Sequence, residues 1–145
     1  MRTDVKRRGW TISAEGNDLA DRFLESVFFT GNGRMGARGY PAYRPIRRPL
    51  DAGLFLAGFY DRISDSTELT DFVNLPTPIW YQIRLNGRIP AIPSHLSRAL
   101  DLRTGLLTFR YRLSIADDWV DVQEQRFFSL AKPSFLFQRL EFQGR

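Results

Sequence analysis

Strict alternation of apolar and polar residues is the feature that most constrains how this chain can fold. It is clearest between residues 107 and 114, where every second residue is apolar and those between are polar. The apolar members are Leu107, Phe109, Tyr111 and Leu113. A period of two is typical of a β-strand with one buried face and one face toward solvent. The alternation therefore predicts an antiparallel sheet and argues against helices wrapped on a parallel one.

Similar stretches recur along the chain, separated by turn residues. Asn86-Gly87 is a strong hairpin signal because both residues tolerate positive φ. Thr104-Gly105 separates two further apolar stretches, and Asp117-Asp118 links the strand that ends near residue 115 to the next. Asp18 can cap one or two helical turns over residues 18–23. Residues 40–49 hold three prolines and are expected to be irregular. The predicted strands cover residues 9–13, 54–59, 79–85, 107–115, 119–128 and 135–142. The prediction is a single domain over residues 1–145, an all-β antiparallel β-sandwich with one or two short helical turns.

Composition removes several classes of function. The chain has no cysteine and one histidine, so thiolate zinc sites, cysteine nucleophiles and multi-histidine metal sites are excluded, and we expect no cofactor. No apolar run approaches the roughly 18 residues of a membrane helix. The charged N-terminus does not have the pattern of a secretory signal. We expect a cytoplasmic protein that contacts no membrane.

The basic character of the chain raises one alternative. There are 21 basic and 16 acidic residues, a net charge of +5 and a pI near 10.1, and such a pI is one indication of nucleic-acid binding. All basic residues except Lys6 and Lys132 are arginines, and they are spread along the whole chain. An arginine-rich nucleic-acid binder is therefore the least favoured hypothesis, and we expect no nucleic-acid partner.

Residues 31–36 match the pattern G-x-G-x-x-G of dinucleotide-binding loops. That chemistry needs a strand before the loop and a helix after it, because the pyrophosphate sits at the helix N-terminus. Residues 26–30 can supply the strand, but the Gly39-Tyr40-Pro41 segment that follows cannot begin a useful helix. The sequence therefore predicts a structural glycine turn. Its members are Gly31, Asn32, Gly33, Gly36, Arg38 and Gly39.

Two further groups could carry chemistry. The carboxylates Asp117, Asp118, Asp121 and Glu124 could supply a pair for glycoside cleavage, but their spacing favours a solvated turn. His95 has no nucleophile elbow to serve. Trp80 and Trp119 fall on the predicted outer faces of their strands and are candidates for contact with a carbohydrate or a partner.

An ordered set of sequence blocks resembles glycoside hydrolase family 65. Residues 25–39, ESVFFTGNGRMGARG, are similar to the family's opening signature, although Arg34-Met35 replaces the usual Tyr-Leu pair. Residues 53–61 resemble a later block, with Phe59 in place of an aliphatic residue. The remaining blocks are Glu68-Leu69 with residues 73–76, residues 100–108, and residues 126–129.

The resemblance implies the first part of an N-terminal super-sandwich whose catalytic (α/α)6 barrel is absent from this chain. Family members are inverting phosphorylases and hydrolases of α-glucosides such as maltose, trehalose and kojibiose. No residue matches the family's general acid or phosphate site, so no catalytic residue is assigned. The implied role is to support the barrel, with a homodimer as a further option. A free-standing carbohydrate-binding module is the alternative function.

The C-terminal segment bears on the same question. Residues 135–142 are rich in phenylalanine, and an apolar strand at a sheet edge invites pairing with another chain. We expect either that this strand is covered inside the sheet or that the sequence belongs to something longer.

Overall fold

The computed structural model describes residues 4–16, 22–43, 53–62, 70–91, 93 and 95–144. Within these ranges the chain forms strands and a single short helix, α1 (Arg22–Val27). The strands are β1 (Val5–Arg8), β2 (Thr11–Gly16), β3 (Thr30–Gly31), β4 (Met35–Ala37), β5 (Leu54–Leu56), β6 (Tyr60–Arg62), β7 (Thr70–Phe72), β8 (Leu96–Asp101), β9 (Leu106–Ile115), β10 (Asp118–Phe128) and β11 (Leu136–Gly144).

Six strands form the main sheet in the order β1-β2-β8-β9-β10-β11, and every neighbouring pair is antiparallel. Its longest strands, β9 and β10, carry the alternation that the sequence showed. The odd-numbered apolar residues of β9 from 107 to 113 are buried, as are Val120 and Val122 of β10. The prediction of an all-β antiparallel architecture is confirmed.

A second layer covers the buried face of the main sheet. It contains the three-stranded sheet β3-β4-β5, helix α1, and the segment from residue 79 to 85. Leu24 and Phe28, in and just after α1, are fully buried in the core cluster of the main sheet. Phe128 at the end of β10 instead joins Leu54 and Ile79 in a second cluster under the small sheet. Strands β6 and β7 form a separate two-stranded sheet.

The predicted strand over residues 79–85 is wrong. This segment forms no ladder in the described structure apart from one isolated bridge between Leu85 and Arg88. Ile79 is buried, and Ile83 and Leu85 pack against the main core. Ile79, Ile83 and Leu85 therefore pack into the core without strand pairing, whereas Tyr81 in the same phase is exposed. The tight turn predicted at Asn86-Gly87 is confirmed, with φ of +48° and +77°.

Other predicted boundaries shift. The strand predicted at 9–13 is β2, which begins only at Thr11 because Gly9, with φ of +59°, lies in the turn after β1. The strand predicted at 54–59 ends at Leu56, just before the turn at Gly58. Ser26 belongs to α1 and not to a strand over 26–30.

Some expectations meet the limits of the described ranges. The proposed cap Asp18 and residues 44–49 of the proline-rich segment lie outside them. Among the described helical residues there is no stretch with the length and apolarity that crossing a bilayer requires.

Candidate functional site

A buried ion pair lies where the two layers meet. Glu124 and Arg126 are two residues apart on β10, so both side chains point to the covered face, and both are 0% exposed. The Arg126 guanidinium lies 3.5 Å from Glu124 Oε1. Glu124 Oε2 accepts a hydrogen bond from the Ala42 backbone N–H at 2.7 Å, and Gln138 Nε2 donates to Oε1 at 3.0 Å. The carboxylate thus joins β10 to the covering segment and to β11.

Arg126 extends the same connection toward the small sheet. Its guanidinium donates to the backbone oxygen of Arg38 at 2.8 Å, and it lies 5.2 Å from the ring centre of Tyr40 and 5.1 Å from that of Phe109. Such contacts partly replace the hydration that burial removes. Burial raises the pKa of the Glu124 carboxyl and lowers the pKa of the Arg126 guanidinium.

The expectation that Glu124 belongs to a solvated acidic turn is therefore wrong. The sequence did contain a signal for the burial of Glu124, because alternate residues of a strand face the same side and Val120 and Val122 face the core. Asp117 and Asp118 do lie at the exposed β9–β10 turn. Asp121 points to the opposite face from Glu124, so these two carboxyls do not converge on one site.

The glycine motif forms the β3–β4 hairpin, and Asn32 organises it. Asn32 Oδ1 accepts hydrogen bonds from the backbone N–H groups of Arg34 and Met35, at 3.1 and 3.0 Å. Its Nδ2 donates to the backbone oxygens of Ser129 and Pro133, at 2.7 and 3.0 Å, in the β10–β11 connection. One side chain therefore shapes the hairpin and fastens it to the main sheet. The end of the motif lies in strand β4, and residues 38–43 after it form no helix.

Close packing explains the last glycine of the motif. A Cβ built on Gly39 would lie 2.4 Å from Phe28 Cβ and 2.6 Å from the Phe28 backbone oxygen. The Gly39 N–H also donates to the Glu25 backbone oxygen at 2.8 Å. Gly39 and the Arg38 carbonyl beside it thus link α1, the small sheet and buried Arg126.

The two tryptophans singled out by sequence lie in different environments. The predicted outer-face position of Trp80 is wrong, because this segment forms no strand and Trp80 packs against the second core cluster, edge-on to Tyr40 with ring centres 6.5 Å apart. Trp119 is on the outer face of β10, where the Arg112 guanidinium covers its ring at 4.3 Å. Arg112 in turn makes two hydrogen bonds to the Asp121 carboxylate, at 2.6 and 2.7 Å. A carbohydrate contact at either tryptophan stays a prediction.

Sequence reasoning missed an exposed apolar cluster where β10 ends and β11 begins, which we call the phenylalanine patch. It consists of Phe127, Phe135 and Phe137. The rings of Phe127 and Phe137 stack with centres 5.1 Å apart, and Phe135 stacks on Phe137 at 6.1 Å. The sequence had indicated the phenylalanines of β11 but not their pairing with Phe127, which requires the register of the two strands.

The described side chains include no grouping of three or more histidine, aspartate or glutamate residues suited to a metal ion. His95 is exposed just before β8. In the described residues, the glycine motif and the Glu124–Arg126 pair join the two layers, and the phenylalanine patch is exposed on the surface.

Comparison of the sequence with known proteins identifies its family. The sequence profile of the glycosyl hydrolase family 65 N-terminal domain matches residues 14–144. The chain belongs to this family. The resemblance drawn from the sequence blocks is therefore confirmed, and the glycine motif of family 65 is, in this chain, the hairpin fastened by Asn32.

A curated relative gives the family context. Trehalose 6-phosphate phosphorylase from Lactococcus lactis subsp. lactis (strain IL1403) is 26% identical over 123 residues, which cover 77% of this chain and 16% of the relative. This family 65 chain therefore spans about 16% of the length of that relative.

Proposed function

We propose that this chain is the non-catalytic N-terminal β-sandwich part of a family 65 enzyme that cleaves an α-glucosidic disaccharide. In this proposal a separate catalytic barrel carries the reaction. The phosphorylase relative favours phosphate over water as the attacking group, in a single displacement at the anomeric carbon. We further propose that the enzyme works in the cytoplasm, and that this chain alone has no turnover.

The phenylalanine patch is the observation that carries the proposal. Three stacked, exposed rings lie together where β10 meets β11, the strand that ends the strand order of the main sheet in the described part of the chain. Contiguous exposed apolar surface marks an interaction site, and an edge strand offers backbone groups for pairing. The proposed occupant is the remainder of the enzyme, which in the relative is most of the protein.

The covered core supports the same division of labour. The buried carboxylate Glu124 accepts hydrogen bonds from Ala42 and Gln138, and its counter-charge Arg126 is buried with it. A general acid must reach the substrate oxygen that it protonates. We therefore assign Glu124 to the support of the fold and assign no catalytic residue in this chain.

The patch can be tested by its behaviour in the isolated chain. If it is a docking surface, the purified chain will bind an apolar dye such as ANS and associate as its concentration rises. The double variant Phe127→Ser/Phe137→Ser should bind less dye and associate less than the wild type while keeping its far-UV spectrum, although the exposed Tyr60 and Phe72 remain. Phe142→Ser, an exposed phenylalanine of β11 outside the patch, is the matched control.

Light scattering after gel filtration measures the association. A wild-type chain that stays monomeric and binds no dye at high concentration would count against a docking surface. A well-defined two-fold dimer that the patch variant abolishes would instead identify a second copy as the occupant.

A further inference from the structure

The outer face of the main sheet carries a groove that the proposed function does not use. It is about 780 Å³ in volume and crosses β8 to β11, within the range of sizes of small-molecule sites. Two cross-strand rows of polar side chains border it, and Tyr111, Val122 and Phe142 line it between the rows. One row contains Ser97, Arg110, Gln123 and Glu141, and the other contains His95, Arg112, Asp121 and Gln143. Crossing four strands makes the groove about 15 Å long.

Hydrogen bonds between the side chains hold the groove in shape. In the first row, Arg110 Nε donates to Gln123 Oε1 at 2.9 Å, and Gln123 Nε2 donates to Glu141 Oε2 at 3.1 Å. In the second row, Arg112 is held by two hydrogen bonds to Asp121 and by its contact with Trp119. Side chains fixed in this way lose less conformational entropy when a ligand binds.

The charges of the lining decide which class of ligand fits. Arg110 and Arg112 are balanced by Asp121 and Glu141, so the four formal charges cancel. A polyanion such as a nucleic acid would meet two carboxylates in the floor, and an apolar peptide would have to desolvate polar groups without replacing their hydrogen bonds. An uncharged ligand rich in groups that both donate and accept hydrogen bonds matches the lining better.

The hydrogen-bonding capacity of the lining side chains favours the same class of ligand. A guanidinium has five N–H donors, more than the one oxygen of Gln123 can accept, and a carboxylate has about four acceptor positions. Sugar hydroxyls can both donate to the carboxylates and accept from the guanidinium groups. Several neighbouring sugar units would fit along a groove of this length.

We propose that this groove binds a neutral oligosaccharide, with Arg110 and Gln123 as its central contacts. The site lies on the opposite face of β10 from the buried Glu124–Arg126 pair. It does not depend on whether the chain supports a catalytic barrel. The expected ligand is a sugar chain and not a disaccharide held for cleavage. The groove is open, and the Asp121 carboxylate already accepts two hydrogen bonds from Arg112.

Titration of the ¹⁵N-labelled chain with sugars, followed by NMR, tests the proposal. The probes are maltohexaose, cellohexaose, xylohexaose and mannohexaose. At least one should shift the Gln123 side-chain amide and the Trp119 indole signals, with a dissociation constant on the order of 1 mM for so open a site.

Two variants test whether the groove is the site. Arg110→Ala and Gln123→Ala should each weaken binding about fivefold or more, as expected for the loss of one or two hydrogen bonds. Both residues point to the outer face, so the variants should keep the wild-type melting temperature. Arg103→Ala, an exposed arginine in the β8–β9 turn, is the control and should bind like the wild type.

Either of two results would overturn the proposal. One is that none of the four sugars moves these signals at concentrations about tenfold above the expected constant. The other is that a single-stranded oligonucleotide binds the same residues more tightly than every sugar.

Discussion

At the scale of the residue, Glu124 and Arg126 form a buried ion pair at the contact between the two layers. Taking two charges out of water costs several kcal/mol, and good geometry and hydrogen bonds to neighbouring groups recover that cost. Here the backbone N–H of Ala42, the amide of Gln138 and the carbonyl of Arg38 supply those bonds. The ion pair and its hydrogen bonds therefore help to hold the two layers together.

Removing one charge of the pair should be costly. Glu124→Gln keeps an acceptor for the Ala42 N–H but leaves Arg126 buried without its counter-charge. The expected loss in the free energy of unfolding is about 3–5 kcal/mol, measured by urea denaturation at pH 7. Glu141→Gln is the matched control on the outer face, where the exposed pair with Arg139 should contribute less than about 1 kcal/mol. Equal losses from the two variants would contradict the assignment.

Removing the arginine instead should make stability depend on pH. Burial already raises the pKa of Glu124 above its ordinary value of 4.5, and Arg126 opposes that rise. In Arg126→Met the native pKa should rise further. Between 4.5 and that native pKa the folded state holds more protons than the unfolded state, so the free energy of unfolding falls as pH increases.

We therefore expect Arg126→Met to be less destabilised, relative to wild type, at pH 5 than at pH 8. Urea denaturation of both proteins at the two pH values measures the difference. A loss that is the same at both values, or larger at pH 5, would show that Glu124 does not respond to Arg126.

Asn32 provides a second test at this scale. Asn32→Ala removes the two hydrogen bonds that shape the β3–β4 hairpin and the two that reach Ser129 and Pro133, for an expected loss of about 2–3 kcal/mol. Asn32→Asp keeps the two acceptor contacts but sets a carboxylate against two carbonyl oxygens. Asn32→Asp should therefore lower the melting temperature at least as much as Asn32→Ala does. An Asp variant as stable as wild type would mean that only the hairpin matters.

At the scale of the element, the β9–β10 hairpin has one residue in an unfavourable conformation. Ala116 has φ of +50° in the two-residue turn between Ile115 and Asp118, a position where glycine is preferred. The left-handed conformation costs an alanine about 1–2 kcal/mol, and the greater entropy of unfolded glycine offsets part of this.

Ala116→Gly should therefore raise the free energy of unfolding by about 0.5 kcal/mol. Asn86→Gly is the comparison, because Asn86 also has positive φ but its side chain donates to Asp118 at 2.7 Å. That variant should gain nothing or lose stability. Thermal melts of both variants measure the two effects, and a destabilised Ala116→Gly would contradict the strain at this turn.

Elements with a complete period of two were predictable from sequence, and the reason is physical. In β9 and β10 each buried face is formed by alternate residues of one strand, so the pattern identifies the element directly. Strand β8 was not predicted, because the buried charge of Arg98 interrupts its apolar face between Leu96 and Leu100. The strand prediction for residues 79–85 failed for the opposite reason, since Ile79, Ile83 and Leu85 pack against the core without joining a ladder.

The glycine motif was predictable as a turn, but the partners of Asn32 were not. Its contacts with Ser129 and Pro133 span about a hundred residues, and a single sequence does not reveal such distant pairings. The same holds for the groove, whose rows depend on the register of four strands. Parity within a strand is local information, whereas register between strands is not.

At the scale of the whole molecule, the inner and outer faces of the main sheet have different roles in this account. The inner face carries the core and the buried ion pair that join the two layers. The outer face carries the groove, and the phenylalanine patch lies where β10 ends and β11 begins. In this account the family 65 domain has a core held together by a buried ion pair and two proposed binding surfaces, the groove and the phenylalanine patch.

The central claim is that these residues supply shape and surfaces while the glycosidic bond is broken elsewhere. The most direct measurement is the release of glucose 1-phosphate or glucose by the purified chain, given phosphate and trehalose 6-phosphate, trehalose, maltose or kojibiose. We predict no rate above that of a heat-denatured sample with any of the four. A rate that exceeds it and scales with the concentration of the chain would contradict the account.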